Sequence, residues 1–154
     1  MIQLLIAVVL CLGVGGIGGA MTARSVQTWY PTLRKPSWNP PAWLFGPVWT
    51  TLYVMMGVSA WLVWREGAFA GWAATAFVVQ LALNGLWSYL FFYRHRPDLA
   101  FIEIIAMWAA ILATILLFHP VSSLAAYLLW PYLAWVSFAS YLNFTIWRLN
   151  PRRA

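Results

Sequence analysis

The chain has 154 residues, 64% hydrophobic and 8% charged, with nine Lys/Arg against three Asp/Glu for a net charge of +6. A soluble domain runs to roughly 45–50% apolar and about 25% charged residues, and so few charges cannot cover a water-facing surface of this size, so the solvent is lipid. A single cysteine, Cys11, excludes an internal disulfide framework, a CxxC metal site and a CxxCH haem attachment, and no hydrolase triad, phosphate loop or metal cluster is present in the sequence.

A spanning helix needs about 20 apolar residues. The charge-poor stretches predict five, over residues 2–22, 43–64, 71–93, 99–118 and 122–147, with a loop at 23–42. The runs are continuously apolar, whereas barrel strands alternate polar and apolar residues, so an all-α bundle is expected. The first run has no Lys or Arg before it and is longer than the apolar part of a signal peptide, so it reads as the first helix. Its Gly15-xxx-Gly19 spacing predicts close packing against a neighbouring helix of the same chain. Cys11 reads as a small packing residue.

The loop carries the most distinctive segment, Trp29-Tyr30-Pro31-Thr32-Leu33-Arg34-Lys35-Pro36-Ser37-Trp38-Asn39-Pro40-Pro41-Ala42-Trp43. Prolines forbid a long helix here, and the aromatic side chains combine apolar bodies with polar tips, so an ordered cap is expected. Composition leaves two roles open, an interfacial anchor and a lid over a cavity. In span two Trp49 and Tyr53 are four apart and share a face. In span three Gln80, Asn84 and Ser88 repeat every four residues, and polar groups at membrane depth face protein or a cavity. Hydrogen bonds between helices and a binding site both satisfy that stripe. Asp98 and Glu103 open span four, with Arg94 and Arg96 as expected interfacial partners. Another reading makes Glu103 the proton-coupling carboxylate of a small transporter. His95 and His119 fall at helix ends, where solvated rings are expected. The breaker His119-Pro120-Val121-Ser122-Ser123 separates spans four and five. In span five Pro131 predicts a kink, and Trp135, Ala139 and Asn143 share one face.

Eight of the nine basic residues fall on one side: Arg24, Arg34 and Lys35 in the first loop, Arg94 and Arg96 after span three, and Arg148, Arg152 and Arg153 at the end; Arg65 lies opposite. The positive-inside rule then places the C-terminus in the cytoplasm and the N-terminus outside, with the bacterial inner membrane the expected location. Basic residues placed between spans set orientation, so no nucleic-acid partner is expected.

The run WYPTLRKPSWNPP, Trp49 in FGPVWTTLY, Gln80-xxx-Asn84-xx-Trp87-Ser88, and Pro131-Tyr132-Leu133-x-Trp135 with Leu142-Asn143 resemble the TspO/MBR family. Its members are the tryptophan-rich sensory proteins, also called translocator protein or peripheral-type benzodiazepine receptor. The resemblance covers nearly the whole chain and implies a five-helix membrane bundle whose first loop covers a cavity that binds porphyrins, and in animal members cholesterol and benzodiazepine-type drugs. It assigns Tyr30, Pro40, Trp49, Asn84, Ser88, Trp135 and Ala139 to the cavity; Tyr53, Trp87 and Asn143 complete the candidate ligand set. It further implies light-dependent degradation of protoporphyrin IX, with Trp49 and Trp135 as the residues concerned, and no conventional enzyme activity. Protoporphyrin IX or haem is thereby a ligand and not an obligatory cofactor, and no metal site is expected. A homodimer stays open. The sterol pattern is broken at the C-terminus, where six residues separate Tyr141 from Arg148, although Leu90, Tyr93 and Arg96 satisfy its loose form. Besides the transporter reading, a structural membrane partner that needs no ligand is a further alternative.

Overall fold

A computed structural model of the chain describes residues 1–151. Five long helices follow in order: α1 (Ile2–Thr28), α2 (Ala42–Arg65), α3 (Gly71–Ser88), α4 (Pro97–Phe118) and α5 (Ser123–Leu149). A short 3-10 turn, Tyr30–Thr32, follows α1, and α3 continues as a π-helical segment, Tyr89–Tyr93. Among the described residues there is no strand. Four helical segments are long and apolar enough to cross a membrane: Ile2–Thr28, Ala42–Arg65, Gly71–Tyr93 and Pro97–Phe118. The fifth helix, with 27 residues, matches α1 in length, but polar side chains such as Ser137, Ser140, Asn143 and Thr145 make it less apolar.

Helix ends follow local chemistry. The first helix runs six residues beyond the expected 22, because nothing between Ala23 and Thr28 breaks a helix; the chain leaves it only before Pro31. The loop is correspondingly shorter than 23–42. Pro41, in extended conformation, precedes α2, and Pro97 opens α4 where its missing N–H costs nothing. Ser122 caps α5 by accepting a hydrogen bond from the Ala125 N–H at 3.3 Å. Gly67 and Gly71 take positive φ, 72° and 52°, in the turn from α2 to α3.

The helices close into a ring in the order α1, α2, α5, α4, α3, with α3 returning to α1. Met56 and Val63 of α2, Ile104, Met107, Ile111 and Ile115 of α4, and Leu129, Tyr132 and Val136 of α5 fill the interior. The outer faces are apolar as well: Leu5, Val9 and Ile17 on α1, Ile102, Ile105 and Leu116 on α4, and Leu124, Tyr127 and Trp130 on α5 are exposed. Helices apolar all round belong in a bilayer. Lipid tails remove the hydrophobic drive for helix association, so close packing and hydrogen bonds hold the ring. Ser59 Oγ donates to the Ala125 carbonyl at 2.7 Å, joining α2 to α5, and Trp108 Nε1 donates to Ser137 Oγ at 2.8 Å, joining α4 to α5.

Of the expected Gly15/Gly19 pair, Gly15 packs closely against a neighbouring helix of the chain and Gly19 does not. A Cβ on Gly15 would overlap the Tyr53 ring, and one on Gly18 would lie 3.1 Å from Ser88 Oγ, but Gly19 faces open space. The tightest backbone approach is at Gly57, where a Cβ would sit 2.5 Å from Val8 Cα. Cys11 is buried among these packing residues.

Candidate ligand cavity

The first loop is pinned from both sides. The Arg34 N–H donates to Asn150 Oδ1 at 3.0 Å, and Asn150 Nδ2 returns a bond to the Arg34 carbonyl at 2.9 Å, fastening the loop to the end of α5. Tyr30 is buried beneath it. Its hydroxyl donates to Asn39 Oδ1 at 2.7 Å, and burial pushes its pKa up to about 12. The Lys35 ammonium donates to the Tyr30 and Leu33 carbonyls at 2.7 and 3.1 Å and sits 4.8 Å from the Tyr30 ring centre; partial burial lowers its pKa.

Two spaces lie under Tyr30, and one aromatic partition separates them. The larger, about 540 Å³, opens between α1, α2 and the end of α3. Its α1 wall includes Gly15, Gly16, Gly18, Gly19 and Thr22, and its α2 wall includes Trp49 and Tyr53. The smaller, about 30 Å³, lies toward α5 against Trp135, Ala139 and Asn143. Tyr30, Phe45, Trp49, Trp87 and Phe92 line both spaces and form the partition. Its rings interlock: Phe45 meets Trp135 edge-on at 6.0 Å, Trp49 meets Tyr132 edge-on at 6.2 Å, and Trp87 meets Phe92 edge-on at 5.8 Å.

The candidate residues therefore separate into groups. Tyr30, Trp49 and Trp87 face both spaces, Tyr53 and Ser88 only the larger, and Trp135, Ala139 and Asn143 only the smaller. Asn84 and Pro40 line neither. Asn84 is buried in a hydrogen-bonded chain: the Tyr53 hydroxyl donates to its Oδ1, and its Nδ2 donates to the Tyr132 hydroxyl at 2.9 Å. Pro40 acts through the loop, its carbonyl accepting from Asn39 Nδ2 at 2.9 Å and so orienting the acceptor of Tyr30. Trp87 Nε1 donates to Asn143 Oδ1 at 3.0 Å, and Asn143 Nδ2 donates to the Pro97 carbonyl at 2.7 Å, which ties α3, α5 and α4 at one level.

Sequence reasoning missed Phe45, which stands four residues before Trp49 and shares its face. It missed the α1 wall altogether, because glycines carry no chemical signature until packing sets a neighbour across from them. It also placed His95 in solvent, whereas Nε2 of its half-buried ring lies 3.2 Å from Ser25 Oγ and the ring stacks on Trp29 at 4.3 Å. Arg96 pairs with Asp98 through bonds of 2.9 and 2.5 Å, and the neighbouring carboxylate raises the Arg96 pKa; Glu103 has neither arginine as a partner.

The larger space is within the roughly 300–1,000 Å³ usual for small-molecule sites, with mainly apolar and aromatic walls and few polar edges, an environment suited to a flat ring system. Comparison with known proteins agrees with the sequence resemblance. The model of the TspO/MBR family matches residues 7–148. The chain is similar to the tryptophan-rich protein TspO of Chlorobaculum tepidum, with 46% identity over 97% of both chains. It is similar to the protein of the same name from Archaeoglobus fulgidus, with 43% identity over 97% of both. The translocator protein of Sus scrofa is 40% identical, over 91% of this chain and 88% of its own.

Proposed function

Because the chain belongs to the TspO/MBR family and is an integral multi-pass membrane protein, we propose that it binds tetrapyrroles, protoporphyrin IX or a haem-pathway relative, in the space between α1 and α2. The observation that carries this reading is the 540 Å³ volume walled by Trp49, Tyr53, Trp87 and Tyr30 on one side and by the α1 glycines on the other. Glycine lets a flat ring approach the α1 backbone, and the indoles offer the opposite face. Polar edges for the ring's carboxylates lie at Thr22, Gln27 and Ser88. Flat drugs of the benzodiazepine type and sterols would compete for the same volume.

The role is sensing, movement or light-dependent disposal of the bound ring. In the last of these roles a light-excited ligand in the larger space would take an electron from the Trp49 indole that borders it, leaving a ligand radical anion and an indole radical cation, and Trp135, behind Phe45, would pass an electron to Trp49 so that the hole comes to rest on Trp135. In this reading α5 is the fifth span, the N-terminus faces outward, and the C-terminus lies in the cytoplasm of a bacterial cell, with the inner membrane as location. The basic residues behind that orientation include Arg152 and Arg153, outside the described residues.

Titrating the purified protein with protoporphyrin IX tests the site. Saturable quenching of tryptophan fluorescence is expected, and its absence in the folded protein overturns the reading.

A further inference from the structure

One buried ionisable group in the bundle is not used by the cavity. Glu103, on the inner face of α4, is buried, and neither carboxyl oxygen has a hydrogen-bond partner among the described residues. Gln80 of α3 is in the same position: its side-chain amide is buried and its oxygen and nitrogen are both unpartnered. Register brings the two together in depth. Asn143 ties Trp87 and Pro97 to one level. The antiparallel helices then carry Gln80, seven residues back along α3, and Glu103, six residues along α4, about 10 Å and about 9 Å below it.

The groups facing this interior from the other helices are Cys11 of α1, Tyr53 of α2, Asn84 of α3 and Tyr132 of α5. None is a cation; Arg96 is committed to Asp98, and Arg65 to Glu66 at 3.0 Å on the far side of the bundle. An ionised carboxylate without a counter-ion in such surroundings neutralises by taking up a proton. The hydrogen bonds within this interior also have a direction. Tyr53 donates to Asn84, and Asn84 donates to the Tyr132 oxygen, so the Tyr132 hydroxyl hydrogen is turned onward into the interior in which Glu103 is also buried. At the other end of the chain, the Tyr53 ring lines the larger cavity and is backed by Gly15.

We propose that Glu103 is a proton-binding site inside this membrane bundle, and that its occupancy is linked to filling of the α1–α2 cavity through Tyr132, Asn84 and Tyr53. A ligand that displaces the Tyr53 ring alters the bond to Asn84, and with it the orientation of the Tyr132 hydroxyl dipole in the interior that holds Glu103; the proton is exchanged with water. Linkage is reciprocal, so the proton changes ligand affinity by the same factor that the ligand changes proton affinity. The linkage half rests on the tetrapyrrole reading above; the proton site does not.

Composition makes the test clean. The chain has three acidic side chains, and Glu66 and Asp98 are each paired with an arginine. In infrared difference spectra of the full chain in liposomes at neutral pH, labelled minus unlabelled so that the lipid ester carbonyls cancel, a protonated-carboxyl C=O band is therefore assigned to Glu103. It is expected to move on labelling with [13C]glutamate, which needs no variant, and to vanish in Glu103→Gln. No such band, or a band lost on adding sodium chloride at constant pH, overturns the proton site. Saturation with protoporphyrin IX is expected to shift the band, Tyr132→Phe to remove that shift, and Glu103→Gln to change porphyrin affinity roughly fivefold or more. Saturable binding without any shift overturns the linkage. A band without saturable binding overturns the tetrapyrrole reading and leaves the proton site standing.

Discussion

At the scale of single residues, Trp49 and Trp135 are not equivalent. Trp49 borders both spaces, whereas Trp135 borders only the smaller and is shielded by Phe45. Replacing Trp49 with Phe removes part of a stacking wall worth about 0.5–1.5 kcal/mol, so protoporphyrin IX should bind roughly two- to tenfold more weakly in a fluorescence titration. Trp135→Phe should leave affinity within about twofold while slowing the light-dependent loss of the porphyrin absorption band. Equal effects of both substitutions on affinity would put the ligand in the wrong space. The glycines give a second contrast. Gly19 faces the cavity with nothing near its missing Cβ, so Gly19→Leu should block the ligand without lowering thermal stability. Gly57→Ala should instead cost about 1–3 kcal/mol of stability, because its Cβ meets the Val8 backbone. Paired melting and binding measurements separate the two.

At the scale of elements, the loop and α5 act as one unit. Asn150 holds the Arg34 N–H and carbonyl and also donates to the Ile146 carbonyl at 2.7 Å, and it is buried while doing so. Asn150→Ala leaves those backbone groups to find other partners, at about 1–3 kcal/mol. The loop that covers Tyr30 should then open more often, and stopped-flow exchange of bound porphyrin should accelerate; unchanged exchange would mean that the ligand enters elsewhere. The π-helical segment after α3 is a related case. Phe91, four residues after Trp87, stacks on it as in any helix, but the irregular turn also brings Phe92, five residues on, edge-on to Trp87, where an unbroken α-helix would turn it away. Such a turn leaves no mark in the pattern of apolar residues, and for that reason Phe92 is not legible as a cavity residue from the sequence.

At the scale of the whole molecule, the number of spans decides the sidedness of the ends. Four of the five long helices meet the length and apolarity of a span without qualification, and α5 closes the ring between α2 and α4. Five crossings put the termini on opposite sides of the membrane, and four would put them on the same side. Reporter domains fused in turn to each end of the full chain should therefore report opposite compartments, with the C-terminal one cytoplasmic. Reporters in the same compartment would remove α5 from the spans and the proposed orientation with it.

What the sequence determined by itself was the solvent, the helical class and the polar stripe. Charge scarcity excludes a water-facing surface, continuous apolar runs exclude alternating strands, and a repeat of four puts Gln80, Asn84 and Ser88 on one face of α3. Periodicity along one helix, however, says nothing about the rotation of the next helix against it. Only the packed ring, set by close contacts at Gly15, Gly18 and Gly57, decided that Trp49 borders both spaces while Trp135 borders the smaller alone, and that α1 supplies a wall. The same packing turned Asn84 into a link between two tyrosines and drew Glu103 inward, away from Arg94 and Arg96. Those outcomes depend on residues far apart in the chain, and it is van der Waals contact between helices, absent from any local pattern, that selects them.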